Sequence, residues 1–171
     1  MKYILTIFFL LMLAACNNKV TEPWELAPGI YILDKQGPVK SVRELASIFA
    51  GKELYIDRWA TWCSPCLDEF EFKDSLNKFL HNRGMVLIYL NSDLNIEEDT
   101  LFKFIKAHDL KGFHLRLNND LKADLTRKEI FVPLIPQYLI MNSIGEIVEN
   151  RALRPSDGDR LYAQISDLLK K

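Results

Sequence analysis

Short apolar runs alternate with segments of helical period along most of this 171-residue chain. The clearest run, MVLIYLN at residues 85–91, is almost continuously apolar, which is typical of a central parallel strand covered on both faces. The segment before it, residues 64–81, repeats apolar side chains at helical spacing, and Gly84 follows its end. The alternation predicts an α/β fold in which a mixed central β-sheet carries helices on both faces.

The other elements are predicted from the same two patterns. Further strands are expected at residues 29–34, 53–57 and 113–117 and in a hairpin over residues 137–149. Further helices are expected at residues 41–52, 96–107, 121–126 and 156–170. The first of these helices has Ser41 as its predicted N-cap, with Glu44 three residues later.

The N-terminal segment has the composition of a signal peptide. Its apolar run, YILTIFFLLMLAA, is shorter than the roughly 20 residues that a membrane-spanning helix needs. The motif LAAC at its end resembles the lipobox of bacterial lipoproteins, which makes residues 1–15 a signal peptide and Cys16 a lipid anchor. An ordinary secretory signal that leaves Cys16 as a free thiol is the alternative. Residues 16–27 are predicted to form a tether and residues 28–171 the folded domain.

The charge distribution argues against a nucleic-acid partner. The chain has 22 basic and 23 acidic residues, a formal net charge of -1, and no basic run longer than a pair. Nucleic-acid binding needs a concentrated positive patch on one face of a domain. We therefore expect no nucleic-acid function.

Two of the three cysteines lie in DRWATWCSPCLDEF, residues 57–70, where a predicted strand passes into a helix. Cys63 is expected at the start of that helix, where free backbone N–H groups and the helix dipole lower the pKa of a thiol. Cys66 is one turn further on and can attack a mixed disulfide formed on Cys63. Half of a zinc site and a structural disulfide are other interpretations. Zinc needs four ligands, so we predict no metal site. A structural disulfide is also disfavoured, because so small a loop restrains the unfolded chain little.

The segment YIDRWATWCSPC resembles the active site of the thioredoxin superfamily, and WATWCSPCLDEF more narrowly resembles that of the TlpA/ResA-type envelope thiol-disulfide oxidoreductases. The resemblance implies a thioredoxin-like fold, a catalytic Cys63–Cys66 redox disulfide that needs no cofactor, and a neighbouring Trp62 that binds substrate. It also implies that Asp57 is the family's buried aspartate, the proton acceptor for the second cysteine. Glu69 matches an acidic residue typical of this branch and is a further catalytic candidate.

A second segment, LIPQYLIMNSIGEIV, resembles the family's cis-proline strand and hairpin. The resemblance implies a cis peptide bond at Pro136 and a substrate-binding backbone at Ile135. Three residues depart from the family pattern: Arg58 stands where an apolar residue is usual, Gln137 where threonine is common, and Ser64 where glycine or glutamate is often found. Because Arg58 alternates with Asp57 along a strand, we expect it on the opposite face, reaching either solvent or a carboxylate.

These resemblances imply a lipid-anchored enzyme of the bacterial cell envelope, facing the periplasm or the exterior, that reduces or exchanges disulfides in other proteins. The serine and proline between the cysteines resemble the reducing members, so we expect a reductase recharged by an upstream membrane electron donor. The protein is predicted to be a monomer that contacts the membrane only through its lipid. The alternative is a thioredoxin-fold binding lipoprotein that holds a client or apoprotein while its disulfide stays inactive.

Overall fold

A computed structural model describes residues 23–170 of the chain. The predicted signal peptide, Cys16 and most of the predicted tether lie outside the described residues. Within residues 23–170, no helix combines the length and the apolar character needed to cross a membrane.

The centre of the fold is one mixed sheet of 7 strands. The strands are β1 (Trp24–Ala27), β2 (Ile30–Ile32), β3 (Leu54–Trp59), β4 (Val86–Asn91), β5 (Gly112–Arg116), β6 (Gln137–Met141) and β7 (Ile147–Glu149). They lie in the order β1-β2-β5-β4-β3-β6-β7. The run from β2 to β3 is parallel, whereas β1, β6 and β7 pair antiparallel with their neighbours.

Helices follow most of the strands. They are α1 (Val42–Ile48), α2 (Ser64–Glu69), α3 (Lys73–Arg83), α4 (Glu98–Ala107), α5 (Asn119–Arg127) and α6 (Asp159–Leu168), with short 3-10 helices at Phe70–Phe72 and Pro155–Asp157. The hydroxyl of Ser41 accepts a hydrogen bond from the N–H of Glu44 at 3.1 Å, which confirms the predicted N-cap of α1. Gly84 ends α3 in the left-handed conformation that a residue without a Cβ adopts most easily.

A separate cluster of buried apolar side chains covers each face of the sheet. On one face, α3, α4 and α6 pack against Tyr55 and Trp59 of β3, and both cysteines of the motif belong to this cluster. On the other face, α1 and α5 pack against Leu54 and Ile56. Successive side chains of a strand point to opposite faces, so β3 contributes to both clusters. The predicted α/β fold with helices on both faces is confirmed.

Two details differ from the prediction. The last four residues of the predicted tether, Trp24–Ala27, form β1, which pairs with β2, so the prediction of a tether is wrong for them. The two nearby prolines and the lack of a regular apolar period are the reasons why the sequence did not predict this edge strand.

The helix predicted at residues 64–81 is also not continuous, because a 3-10 turn at Phe70–Phe72 separates α2 from α3. That turn buries Phe70 against Trp59, with the ring centres 5.3 Å apart.

Candidate active site

Cys63 and Cys66 lie at the start of α2, just beyond the carboxyl end of β3. Cys63 is the N-cap residue, and its carbonyl oxygen accepts hydrogen bonds from the N–H groups of Cys66 at 2.9 Å and Leu67 at 3.1 Å. Pro65 sits in the first turn, where an amide hydrogen is not needed. The two cysteines form a disulfide, with their Cα atoms 5.2 Å apart. Their predicted position at the start of the helix is confirmed.

Both cysteines are buried, whereas Trp62, the residue before Cys63, is exposed. Cys63 is 4% exposed and Cys66 is 1% exposed, so Cys63 is the less covered of the two. Trp62, by contrast, is 71% exposed, and a shallow depression beside it is lined by Thr61 and residues 93–96. Leu94 in that rim is also largely exposed. Two large apolar side chains, Trp62 and Leu94, are therefore exposed beside this depression.

The loop that leads into the motif is held by Asp93, a residue that the sequence analysis missed. Both carboxylate oxygens of Asp93 accept hydrogen bonds from Thr61, one from its N–H and one from its hydroxyl, each at 2.9 Å. The side-chain amide of Asn91 donates to the same carboxylate at 2.7 Å. The signal that could have found Asp93 is its position just after a central strand, at the sheet edge where the cysteines lie.

Asp57 lies in the middle of the sheet, on the face that carries the cysteines. It is 3% exposed, and its Oδ1 atom has no hydrogen-bond partner among residues 23–170. Burial, and secondarily the negative charge of Glu69, raise the pKa of Asp57 well above its ordinary value. A carboxyl group so shifted is better matched to exchange a proton with a thiol than an exposed one is.

Asp57 belongs to a row of buried polar side chains that crosses four strands. Its register partners are Tyr138 on β6 and Tyr89 on β4, and Tyr89 is paired with His114 on β5. Burial lowers the pKa of His114 to about 4, so its ring is neutral at physiological pH. The Tyr138 hydroxyl, like Asp57, lacks a hydrogen-bond partner in the described part of the chain. The members of this row beside Asp57 are neutral and do not stabilise its charged form, and the negative charge of Glu69 disfavours that form further.

Glu69 is buried at the end of α2. One of its carboxylate oxygens accepts a hydrogen bond from the N–H of Ser156 and the other from the Ser156 hydroxyl, both at 2.9 Å. Arg154 lies 3.8 Å from the same carboxylate. These contacts fasten α2 to the 3-10 helix before α6. Glu69 therefore joins two elements of the fold, and its negative charge contributes to the raised pKa of Asp57.

The peptide bond between Ile135 and Pro136 is cis, as the sequence predicted. Pro136 directly precedes β6, and Gln137 is the register partner of Arg58 near the end of β3. Because the motif follows the end of β3 and Pro136 precedes the paired end of β6, both lie at one edge of the sheet. Ile135 packs against the cluster that contains both cysteines.

The expectation for Arg58 is wrong in part. Its side chain does enter the face opposite Asp57, but it is only 2% exposed and reaches neither solvent nor a carboxylate among the described residues. Instead, its Nη2 atom donates hydrogen bonds to the carbonyl oxygens of Val132 and Leu134. A buried guanidinium can be accommodated by backbone carbonyls, which are strong acceptors, and sequence alone does not indicate which loop will supply them.

Metal-ligating side chains do not gather in the described part of the chain. No group of three or more His, Cys, Asp or Glu side chains within residues 23–170 is arranged to hold a metal ion. The paired cysteines are joined to each other, and His114 is buried against Tyr89, with ring centres 4.9 Å apart.

Comparison with known proteins agrees with this geometry. The family described as Redoxin matches residues 25–159. Thiol-disulfide oxidoreductase ResA of Bacillus thuringiensis subsp. konkukian is 27% identical over 146 residues, which cover 85% of this chain and 75% of that protein. ResA of Bacillus subtilis is 23% identical over 123 residues, covering 72% of this chain and 63% of that protein.

Solved structures give the same fold. The thioredoxin domain of a thiol-disulfide oxidoreductase from Bacteroides vulgatus superposes with a TM-score of 0.58 at 22% identity, covering 72% of this chain and 84% of that one. StoA from Bacillus subtilis superposes with a TM-score of 0.52 at 23% identity, covering 67% of this chain and 82% of that one. The predicted thioredoxin-like architecture is confirmed.

Proposed function

Because the chain belongs to the Redoxin family and is an oxidoreductase of the thioredoxin type, we propose that it reduces or exchanges disulfides in other proteins through Cys63 and Cys66. The observation that carries this proposal is the Cys63–Cys66 disulfide at the start of α2, with the buried carboxyl of Asp57 on the strand behind it. A disulfide of this size has little value as a staple, because it closes a loop of only a few residues.

The reaction begins with the reduced pair. The Cys63 thiolate attacks one sulfur of a substrate disulfide, and the other substrate sulfur leaves as a thiolate. The resulting mixed disulfide lies between the exposed ring of Trp62 and the backbone of Ile135, beside Pro136. Free N–H groups at the start of α2 favour the thiolate form of Cys63 before the attack.

Resolution completes the transfer. Asp57 accepts the thiol proton of Cys66, and the Cys66 thiolate attacks Cys63, which releases the second substrate thiolate and forms the Cys63–Cys66 disulfide. The substrate gains two electrons and the chain loses two. An upstream membrane electron donor must return the pair to the dithiol for the next cycle. Glu69 assists through its charge, which helps to raise the pKa of Asp57. No cofactor takes part.

Trapping tests the order of the two cysteines. Cys66→Ser should accumulate a mixed disulfide with insulin, because Cys63 can still attack and no thiol resolves the adduct. Cys63→Ser should accumulate none. In the reduced parent, iodoacetamide should label Cys63 first, since a thiol at the start of α2 has the lower pKa. Preferential labelling of Cys66, or adducts only in Cys63→Ser, would reverse the assignment.

A binding lipoprotein with an idle disulfide is the second candidate, and the relatives named as thiol-disulfide oxidoreductases do not favour it. A redox titration separates the two. The proposal expects Cys63 and Cys66 to cycle at a potential above about -300 mV, whereas a structural bridge lies below that value. A pair that stays oxidised in that titration supports the binding protein.

The location is also part of the proposal. The short apolar run and the LAAC motif support export and acylation of Cys16, which would place a monomeric domain at the surface of an envelope membrane on a tether that begins at Cys16. Cys16→Ser should move the protein from the membrane fraction to the soluble fraction. Retention in the membrane of a variant that has lost both its signal peptide and Cys16 contradicts the anchor.

A further inference from the structure

Residues 130–135 form the loop that leads to Pro136, and two side chains hold it in place. Between Val132 and Ile135, no backbone-to-backbone hydrogen bond joins the loop to any other described residue. Its backbone is held instead by Arg58, which donates to the carbonyl oxygens of Val132 and Leu134, the latter at 2.6 Å. The position of this loop therefore depends on a side chain from the neighbouring strand.

Gln137 holds the same loop from its other end. Its side-chain amide donates to the carbonyl oxygens of Ile130 at 2.8 Å and Asn150 at 3.0 Å, and its carbonyl oxygen accepts from the N–H of Val132 at 3.4 Å. Gln137 and Arg58 are direct register partners across β3 and β6. Two of the three departures from the family pattern, Arg58 and Gln137, thus converge on one loop.

The guanidinium of Arg58 is fixed on its other side as well. Its central carbon lies 4.4 Å from the centre of the Phe131 ring, within the range of a cation–π contact. Burial lowers the pKa of Arg58 to about 10, so the side chain keeps its charge at physiological pH. A planar cation held between a ring and two carbonyl oxygens leaves the loop few alternative positions.

The loop ends at the part of the molecule that the proposed mechanism places against the substrate. Leu134 is 77% exposed, and Ile135 after it is only partly buried. A polypeptide that carries the substrate disulfide would lie along this backbone, whereas a small disulfide reaches Cys63 without it.

Resting on the proposed function, we infer that Arg58 is a positioning residue for polypeptide substrates. By holding the carbonyl groups of Val132 and Leu134, it fixes the backbone of Leu134 and Ile135 in the place where a protein disulfide docks beside Cys63. Gln137 supports the same placement. Arg58 contacts neither the cysteines nor the reacting sulfur atoms and acts only through the loop.

The test compares two oxidants of the reduced protein, insulin as a protein disulfide and 2-hydroxyethyl disulfide as a small one. Arg58→Met keeps the apolar stem and removes the donors. It should slow the reaction with insulin about 10- to 100-fold, in the range that misplaced binding groups cost. The reaction with the small disulfide should stay within about twofold, and the midpoint potential should not move.

Two further variants complete the design. Arg58→Lys keeps a donor and a charge and should recover part of the insulin rate, which covers the case in which Arg58→Met does not fold. Arg83→Met is the matched control, because Arg83 also donates to a backbone carbonyl, that of Leu169 at 3.2 Å, on another part of the surface. It should leave both rates unchanged.

The outcomes separate this inference from the proposed function. A parent protein that reduces neither disulfide contradicts the proposed function, and the inference falls with it. A parent that reduces both, with an Arg58→Met variant that loses both rates equally or loses neither, overturns the inference alone. If Arg58→Met is unfolded, an Arg58→Lys variant that slows only the reaction with insulin supports the inference, and one that slows both reactions equally or slows neither overturns it.

Discussion

Asp57 and Arg58 are consecutive residues of β3 whose side chains enter opposite faces of the sheet. Both are almost fully buried, at 3% and 2% exposure. The guanidinium of Arg58 has two carbonyl oxygens and an aromatic ring around it, although its Nε atom has no hydrogen-bond partner among the described residues. The Asp57 carboxyl has neutral register partners, is disfavoured in its charged form by the negative charge of Glu69, and has an oxygen without a hydrogen-bond partner in that same part of the chain.

This difference separates two uses of a buried charge. A charge that is supplied with partners can hold a neighbouring segment in place, because removing it leaves those partners unsatisfied. A buried charged group without partners destabilises the folded state, and its pKa shifts in the direction that favours the neutral form. We therefore assign Arg58 to the position of the loop and Asp57 to the movement of a proton.

The largest expected effect is on turnover in Asp57→Asn. Loss of a general base typically slows a proton-transfer step by about 10²- to 10⁴-fold. Steady-state reduction of insulin should fall by that order, and the mixed disulfide on Cys63 should become visible on a non-reducing gel. A variant that turns over at the parent rate would remove Asp57 from the mechanism.

The next effect is on the stability of Arg58→Met. The variant leaves the carbonyl groups of Val132 and Leu134 without their donor, which should lower the free energy of unfolding by about 1–3 kcal/mol. Urea denaturation measures it. Arg83→Met serves as the control, with an expected loss below about 1 kcal/mol, because Arg83 pairs with Glu53 near the surface. Equal losses of unfolding free energy in the two variants would mean that the contacts of Arg58 contribute no more to stability than those of Arg83.

Asp57→Asn should change stability in the opposite direction. The folded-state pKa of Asp57 is raised, so its contribution to stability is full below its unfolded pKa of about 4 and is lost as pH rises toward the folded pKa. The asparagine variant does not titrate. Its Tm should exceed that of the parent by several degrees at neutral pH, since about 1 kcal/mol corresponds to roughly 2–4 °C in a domain of this size. The difference should shrink on acidification, and a variant less stable than the parent at neutral pH would make Asp57 a structural residue.

The smallest expected effect concerns Glu69. Its negative charge contributes to the raised pKa of Asp57, so Glu69→Gln should shift the pH profile of the resolution step to lower pH by less than about one unit. Ser156→Ala is the matched control, because it removes one hydrogen bond from Glu69 and keeps the charge. A profile that moves equally in both variants would indicate a packing effect.

The features that sequence predicted well are local. Cys63, Cys66 and Pro65 form a pattern within one helical turn, and the position of Asp57 follows from strand alternation six residues earlier. The cis bond at Pro136 was implied by the resemblance of a short segment to the family's cis-proline strand. In each case the residues that carry the sequence signal lie close together in the chain.

The features that sequence missed depend on distant residues. The carbonyl oxygen of Leu134 that binds Arg58 is 76 residues away in the chain, and Ser156 is 87 residues from Glu69. Backbone carbonyls carry no residue-specific signal, so nothing in the sequence singles out the loop before Pro136 as the partner of a buried arginine. The sequence also did not predict the 3-10 turn at Phe70–Phe72, because the helical period continues through it. The break between α2 and α3 is accompanied by packing of Phe70 against the distant Trp59.

The most direct test of the division between Asp57 and Arg58 follows both chemical steps in one experiment. Reduced parent, Asp57→Asn and Arg58→Met are mixed with insulin in a rapid-quench apparatus, and formation and decay of the Cys63 mixed disulfide are timed separately. We predict that Asp57→Asn forms the adduct at a near-parent rate and resolves it slowly, whereas Arg58→Met forms it slowly and resolves it at a near-parent rate. If either variant slows both steps equally, the two faces of β3 do not serve separate steps, and the assignment of Asp57 to resolution and Arg58 to adduct formation is wrong.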